Sequence, residues 1–208
     1  MVDGALRSLM DAIAAAADGR ALELLNAEPG LARAALADGA TRAAPAGAFL
    51  TGIAHHLYAG DTALHVAAAA HRPGIVRALL AQGADAAARN RRGATPLHYA
   101  ADGRPGSPSW DRNAQGEVVT RLIEAGADPN AVDRSGVAPL HRAVRTRGPE
   151  AVRSLLAAGA DPMLRNRNGS TAMMLADRSN GRSGSGGAEA KSCQAEIISI
   201  FTDLGLRP

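Results

Sequence analysis

Pairs of neighbouring aliphatic residues recur along this chain in one setting. Ile75-Val76 with Leu79-Leu80, Val118-Val119 with Leu122-Ile123, and Ala151-Val152 with Leu155-Leu156 each fill three or four positions within about two turns. Apolar residues spaced in this way mark helices with one buried stripe. Each run stops at a glycine, Gly83, Gly126 or Gly159, always as Gly-Ala-Asp, and glycine ends a helix because it takes the left-handed conformation without steric cost. Ten residues beyond each lies a second glycine, Gly93, Gly136 or Gly169, so a polar connector of fixed length is predicted. Upstream of each aliphatic run stands a shorter apolar segment, Thr62 to Ala68, Thr95 to Ala101 and Ala138 to Val144, which predicts a first helix beginning at Thr, with Pro or Ala in its first turn. These segments start 33, 43 and again 33 residues apart, counting to Thr171, a period that predicts a stacked solenoid of helix-turn-helix units.

Thr95-Pro96-Leu97-His98-Tyr99-Ala100-Ala101, the Ile75 to Leu80 helix and Gly126-Ala127-Asp128-Pro129-Asn130 together resemble the ankyrin repeat, clearly so over residues 60 to about 175. The resemblance implies an all-α ankyrin-repeat solenoid with β-hairpin-like connectors and capping units at both ends. Its expected parts are an N-terminal helical cap (1–59), repeats at 60–92, 93–135 and 136–168, and a C-terminal capping repeat (169–208), all one domain. It also implies that His65, His98 and His141 bond near the start of each first helix and tie neighbouring units together. A metal cluster of these three is the competing reading. Equivalent positions on stacked units lie roughly 8–10 Å apart, whereas zinc–nitrogen bonds are near 2.0 Å. Longer stretches, Tyr58 to His65 and Ser135 to Arg147, resemble bacterial-type ankyrin proteins.

At the ends the pattern loosens. Ala5 to Ala17 and Arg20 to Ala27 read as two helices broken at Gly19, and a further short helix is expected around Phe49 to Leu57. In the last unit Met174 replaces the motif histidine and Thr202 replaces an aliphatic, while Ile197, Ile198 and Phe201 keep the inner face apolar, as a C-terminal cap requires. Two insertions lengthen the turn between paired helices. One is Asp102 to Asp111, carrying the single tryptophan, Trp110; the other is the Gly/Ser-rich Asn180 to Gly187. The second lacks the Gly-Lys-Ser/Thr ending of a nucleotide-binding loop and reads as a flexible linker. Trp110 has two readings, a partner anchor if exposed, or a side chain folded back over a local gap.

Composition narrows the function classes. Aromatic residues make up 2% of the chain against 46% hydrophobic, so the core is aliphatic and thin helices stack closely. The apolar start from Ala12 to Ala17 is bracketed by Asp11 and Asp18, unlike a signal peptide, and no run of about 18 apolar residues occurs; the cytoplasm is the default compartment and no membrane association is expected. Cys193 has no partner for an internal disulfide. No nucleophile–base pair, carboxylate dyad or metal-spaced cluster stands out, and His55-His56 has no Cys or acidic ligand in its segment, so no enzyme, metal or cofactor is expected. An enzyme site assembled only by folding is the least favoured alternative.

Net charge is −2 over residues 1–59 and +5 over 60–208, and much of the excess falls in the connectors. The resemblance implies a non-catalytic protein-protein interaction module, using connector tips and the exposed faces of the first helices. Candidate partner-binding residues are therefore Arg89, Arg91, Arg92, Tyr99, Trp110, Arg134, Arg142, Arg145, Arg165 and Arg167, facing an acidic protein. Asp85, Asp128, Asp133 and Asp161 offset part of this charge, and a single lysine against 22 arginines points to coding bias behind some of it. Few aromatics and a modest net charge argue against nucleic acid. A homo-oligomer or subunit stabiliser that buries the Trp110 edge is the alternative.

Overall fold

Each short apolar motif folds into a largely buried first helix, and each aliphatic run into a second helix buried along one stripe. The computed structural model describes residues 2–40, 48–177 and 187–206. Among these are the first helices α3 (Ala63–Ala69), α5 (Pro96–Ala100), α7 (Pro139–Arg145) and α9 (Ala172–Asp177), and the second helices α4 (Pro73–Ala81), α6 (Arg112–Glu124), α8 (Pro149–Ala157) and α10 (Ala188–Asp203). Proline opens α4, α5, α7 and α8, where its fixed φ suits the helix and its missing N–H costs nothing. First helices pack in one row, α3 on α5 on α7 on α9, and second helices in another, α4 on α6 on α8 on α10. The stripe of the second row is i, i+1, i+4: Ile75, Val76, Leu79, then Val118, Val119, Leu122, then Ala151, Val152, Leu155, all essentially inaccessible. Each of those leucines contributes roughly 2 kcal/mol by leaving water.

Six glycines punctuate the stack as the spacing predicts. Gly83, Gly126 and Gly159 end second helices at φ of +83°, +92° and +84°, and Gly93, Gly136 and Gly169 close the connectors at +75°, +70° and +74°. The connectors themselves are tight turns, closed by Asn90 N to Ala94 O (3.1 Å), Asp133 N to Val137 O (3.0 Å) and Asn166 N to Ser170 O (3.0 Å).

Before the repeats, α1 (Val2–Ala14) packs beside α3, and α2 (Asp18–Ala27) beside α4, so the N-terminal helices form one more pair in the same two rows. Their break lies at Ala15 to Ala17, with Ala16 at φ +58°, and not at Gly19, which sits inside α2. Asp18 fixes that start: it occupies the first turn, where a carboxylate suits the helix dipole, and Arg72 donates to it at 3.0 and 2.5 Å.

The helix expected around Phe49 to Leu57 is instead a hairpin, β1 (Phe49–Leu50) antiparallel to β2 (His55–His56), joined by a 3-10 turn over Thr51–Ile53. Leu50, Ile53 and Leu57 have helical spacing and are all buried, but Ala54 at φ +46° turns the chain back on itself. Gly52 makes the turn possible: a Cβ there would lie 2.2 Å from the Ala14 carbonyl oxygen at the end of α1. At the far end, Ala190, Cys193, Ile197 and Phe201 form the buried face of α10, while Ile198, one position off that period, is 38% exposed. The glycine-rich segment from Asn180 to Gly186 lies outside the described residues.

Candidate functional site

The connector edge is built from backbone to side chain. Arg91 N donates to Ala59 O (2.8 Å), Arg134 N to Arg92 O (2.9 Å) and Arg167 N to Ser135 O (3.1 Å), so each connector hangs on the one before it. The approach is close enough to require glycine: a Cβ on Gly136 would lie 2.9 Å from Arg167 N, and one on Gly93 3.1 Å from Arg134 N. Arg91, Arg134 and Arg167 thus occupy the same position in successive connectors. The turns are held rigid by short polar side chains. Asp85, Asp128 and Asp161 each accept at 2.8 Å from the N–H two residues on. Asn90, Asp133 and Asn166 each accept from two N–H groups of their own connector.

The candidate arginines separate by what they touch. Arg89 donates to Gly93 O (2.9 Å) and Val132 O (2.8 Å), and Arg165 to Gly169 O (2.7 Å), so both staple connectors while remaining exposed. Arg91 donates to Ala40 O, Arg92 donates to the Tyr58 hydroxyl at 2.9 Å, and both guanidinium groups lie over the Tyr58 ring, 5.4 and 4.9 Å from its centre. Arg134, Arg145 and Arg167 are exposed and make no side-chain hydrogen bond or ion pair among the described residues.

Two candidate residues are corrected by the structure. Tyr99 is 2% exposed and belongs to the core, because the β1–β2 hairpin covers it: the His55 ring lies 4.3 Å from it and the His65 ring 5.1 Å. Its hydroxyl donates to Asp61, both carboxylate oxygens at 3.0 Å, and burial together with that carboxylate pushes its pKa far up. Asp61, completely buried, also accepts from Asn90 Nδ2 (2.8 Å) and Tyr58 N (2.7 Å). Arg142 is likewise internal. Its side chain is 13% exposed and neutralised by Asp102 (3.1 Å) and Asp133 (3.6 Å). Neither residue is available to a partner. Sequence reasoning passed over Asp61 and Asn90, although Asn90, Asp133 and Asn166 stand three residues before the connector glycines in every unit, a recurrence that marks a structural position.

The motif histidines form a ladder between units. Nδ1 of His65, His98 and His141 accepts from the N–H of Thr62, Thr95 and Ala138 (3.2, 3.1 and 3.2 Å). Nε2 therefore carries the proton and donates to Ala94 O, Val137 O and Ser170 O of the following unit (3.2, 2.9 and 3.1 Å). At Ala138 the capping hydroxyl is missing and only the imidazole remains. His71, which sequence reasoning did not single out, makes the same kind of link to Ala100 O at 3.1 Å. Burial lowers the pKa of all four, that of His71 and His98 to about 4. Among the described residues no group of three or more His, Cys, Asp or Glu is arranged to hold a metal ion, and no helix is long and apolar enough to cross a membrane. Burial raises the Cys193 thiol pKa.

The Trp110 insertion is ordered by its ends. Gly103 N donates to Thr146 Oγ1 at 2.8 Å, and Asp111 caps α6 by accepting from Asn113 N (2.8 Å) and Ala114 N (3.2 Å). Trp110 is half-buried, and its indole N–H donates to Gln115 Oε1 at 3.1 Å. Gln115, fully buried, donates in turn to Ala100 O at 2.9 Å. On the opposite side Arg112 and Arg153 both pair with Glu150 and Glu196, cross-linking α6, α8 and α10.

Stacked helix pairs, connectors in register and a histidine link between units define a repeat solenoid. Residues 51–100 and 122–176 match the family described as "Ankyrin repeats (many copies)", and residues 92–134 match the single "Ankyrin repeat". These matches cover more than half of the chain, which therefore belongs to the ankyrin repeat family. No curated protein matches it. Ankyrin repeats are in general protein-protein interaction modules.

Proposed function

We propose that this chain is a non-catalytic recognition module that binds an acidic protein partner along its connector edge, with Arg134 and Arg167 as the free cations of the connectors and Arg145, at the end of α7, as a third. One observation carries the reading. The connector acids Asp128 and Asp161 each hold a backbone N–H through Oδ1 and Asp133 pairs with Arg142, whereas these three arginines are exposed and form no ion pair among the described residues. A rigid turn carrying an exposed arginine at a repeated position loses little entropy on pairing, and guanidinium groups meet carboxylates in bidentate geometry.

Capture from extracts of the source cells, with the intact chain and a variant carrying Arg134→Glu, Arg145→Glu and Arg167→Glu, tests this. Binding of the captured protein should weaken at least about tenfold in the variant and should fall steeply with salt for the parent chain. An affinity equal in both chains and flat across the salt series refutes the connector edge. Stability should change by no more than about 0.5 kcal/mol for each replacement, since the three side chains are exposed.

A further inference from the structure

The second helices α6, α8 and α10 end at equivalent positions, Glu124, Ala157 and Asp203, each two residues before a glycine in the left-handed conformation. Because these helices pack side by side in that order, an alanine stands between two carboxylates. Ala157 lines a hollow on either side. One, of about 390 Å³, lies between α6 and α8 and is lined by Ile123, Ala157 and Ala158 together with Glu124. The other, of about 490 Å³, lies between α8 and α10 and is lined by Leu156, Pro162, Ile200 and Leu204 together with Asp203. Leu204 is 57% exposed, the highest value of any large apolar side chain among the described residues. Both carboxylates are exposed, and among the described residues neither makes a hydrogen bond or an ion pair. The arginines of the three helices are committed elsewhere: Arg121 to Glu117, and Arg112 and Arg153 to Glu150 and Glu196, a set of four whose charges cancel. Lys191 stands near the start of α10, at its far end. A carboxylate on the last residue of a helix also opposes the helix dipole, which favours cations there. Two helices of one row break that rule at the same position.

We propose that the ends of α6, α8 and α10 form a docking surface for an amphipathic helix of a protein partner, with aliphatic side chains in the two hollows and a Lys or Arg at each end to meet Glu124 and Asp203. Charge selects the occupant: two uncompensated carboxylates beside three helix C-termini attract a cationic segment and repel nucleic acid or an anionic lipid surface. Spacing selects its form. Helices packed in a row lie roughly 8–10 Å apart, so the hollows are about one spacing apart and the carboxylates about two, roughly 16–20 Å. A helix rising 1.5 Å per residue covers the longer span in about 11–13 residues, and side chains at i and i+7, about 10.5 Å apart, share the face that meets the hollows. An extended peptide would lay its N–H and C=O groups over apolar walls made of helices, whose own backbone is already paired, whereas a helix satisfies its backbone internally. This surface takes a basic ligand and stands independently of the connector edge.

The test is a titration of the full chain, read by fluorescence anisotropy, with a labelled alanine-based helical peptide of about sixteen residues carrying leucine at i, i+3 and i+7 and lysine at both ends. It should bind saturably in the micromolar range. A peptide with glutamate for the lysines, and one with serine for the leucines, should each bind at least about tenfold more weakly. Glu124→Gln combined with Asp203→Gln should weaken the lysine peptide at least about tenfold without lowering the urea midpoint, since both changes remove a carboxylate from a helix C-terminus. Ala157→Lys, at an exposed position between the hollows, should abolish binding. Arg134→Glu with Arg167→Glu should leave it unchanged, which separates this surface from the connector edge. The proposal is overturned if the lysine peptide does not bind, if either altered peptide equals it, or if the Glu124 and Asp203 replacements leave the affinity intact. It is also overturned if sedimentation shows a dimer that Ala157→Lys dissociates, a result that assigns the surface to a second copy of the chain.

Discussion

Between pH 6.5 and about 4 the folded protein should lose most of its stability, and its unfolding in that window should take up several protons per molecule. Five histidines, His55, His65, His71, His98 and His141, are held below their ordinary pKa, in each case chiefly by burial. For the three motif histidines the reason is also geometric. Nδ1 accepts from a backbone N–H, so a second proton sets donor against donor at the start of the first helix. The sign follows from the direction of the shifts. The unfolded chain protonates near 6.5 and the folded chain only near 4 for His55, His71 and His98, so between those values the unfolded state binds more protons. The stabilising contribution is complete above pH 6.5, falls as pH drops through the window, and is fully lost below the folded value. Each fully shifted histidine contributes a slope of up to about 1.4 kcal/mol per pH unit. With a total stability of about 5–15 kcal/mol, three acting together are enough to unfold the chain before pH 4. Urea unfolding at pH 7.5, 6.5, 5.5 and 4.5 checks this; a stability that is flat across the series contradicts the neutral histidine ladder.

Asp61→Ala should cost about 3–5 kcal/mol, more than replacing any exposed arginine of the connectors. The carboxylate is inaccessible and accepts from the Tyr58 N–H, the Asn90 amide and the Tyr99 hydroxyl, so its removal leaves three donors buried without an acceptor. Tyr99→Phe, which takes away one donor and keeps the ring against His55 and His65, should cost only about 1–2 kcal/mol. Urea midpoints at pH 7.5 measure both, and an unchanged dependence on denaturant shows that the native state has kept its compactness. A cost below about 1 kcal/mol for Asp61→Ala would show that the network is incidental.

Repetition made the scaffold legible. A helix end that recurs as Gly-Ala-Asp and a glycine ten residues on carry local conformational demands, left-handed φ and close backbone approach, that no distant contact alters. The same logic reached the motif histidines through family resemblance. What stayed hidden depends on residues far apart in sequence. Tyr99 is buried in part against His55 of a hairpin some 45 residues upstream, a contact that no local pattern announces. Arg142 resembles its exposed neighbour Arg145 until Asp102, 40 residues away, is brought beside it. The hairpin was itself ambiguous, since Leu50, Ile53 and Leu57 have the spacing of a helix and only Gly52 and Ala54 mark the turn. Trp110 stood out as the single tryptophan, but its hydrogen bond to the buried Gln115, which in turn holds the Ala100 carbonyl, is set by the fold.

On the proposed reading recognition of the acidic partner lies on the connector edge, while the second helices α4, α6 and α8 serve the stack. Hydrogen exchange with and without the captured partner tests it most directly. New protection is expected in 133–136 and 166–169, with the second helices unchanged; protection confined to α4, α6 and α8 would contradict a connector-edge site.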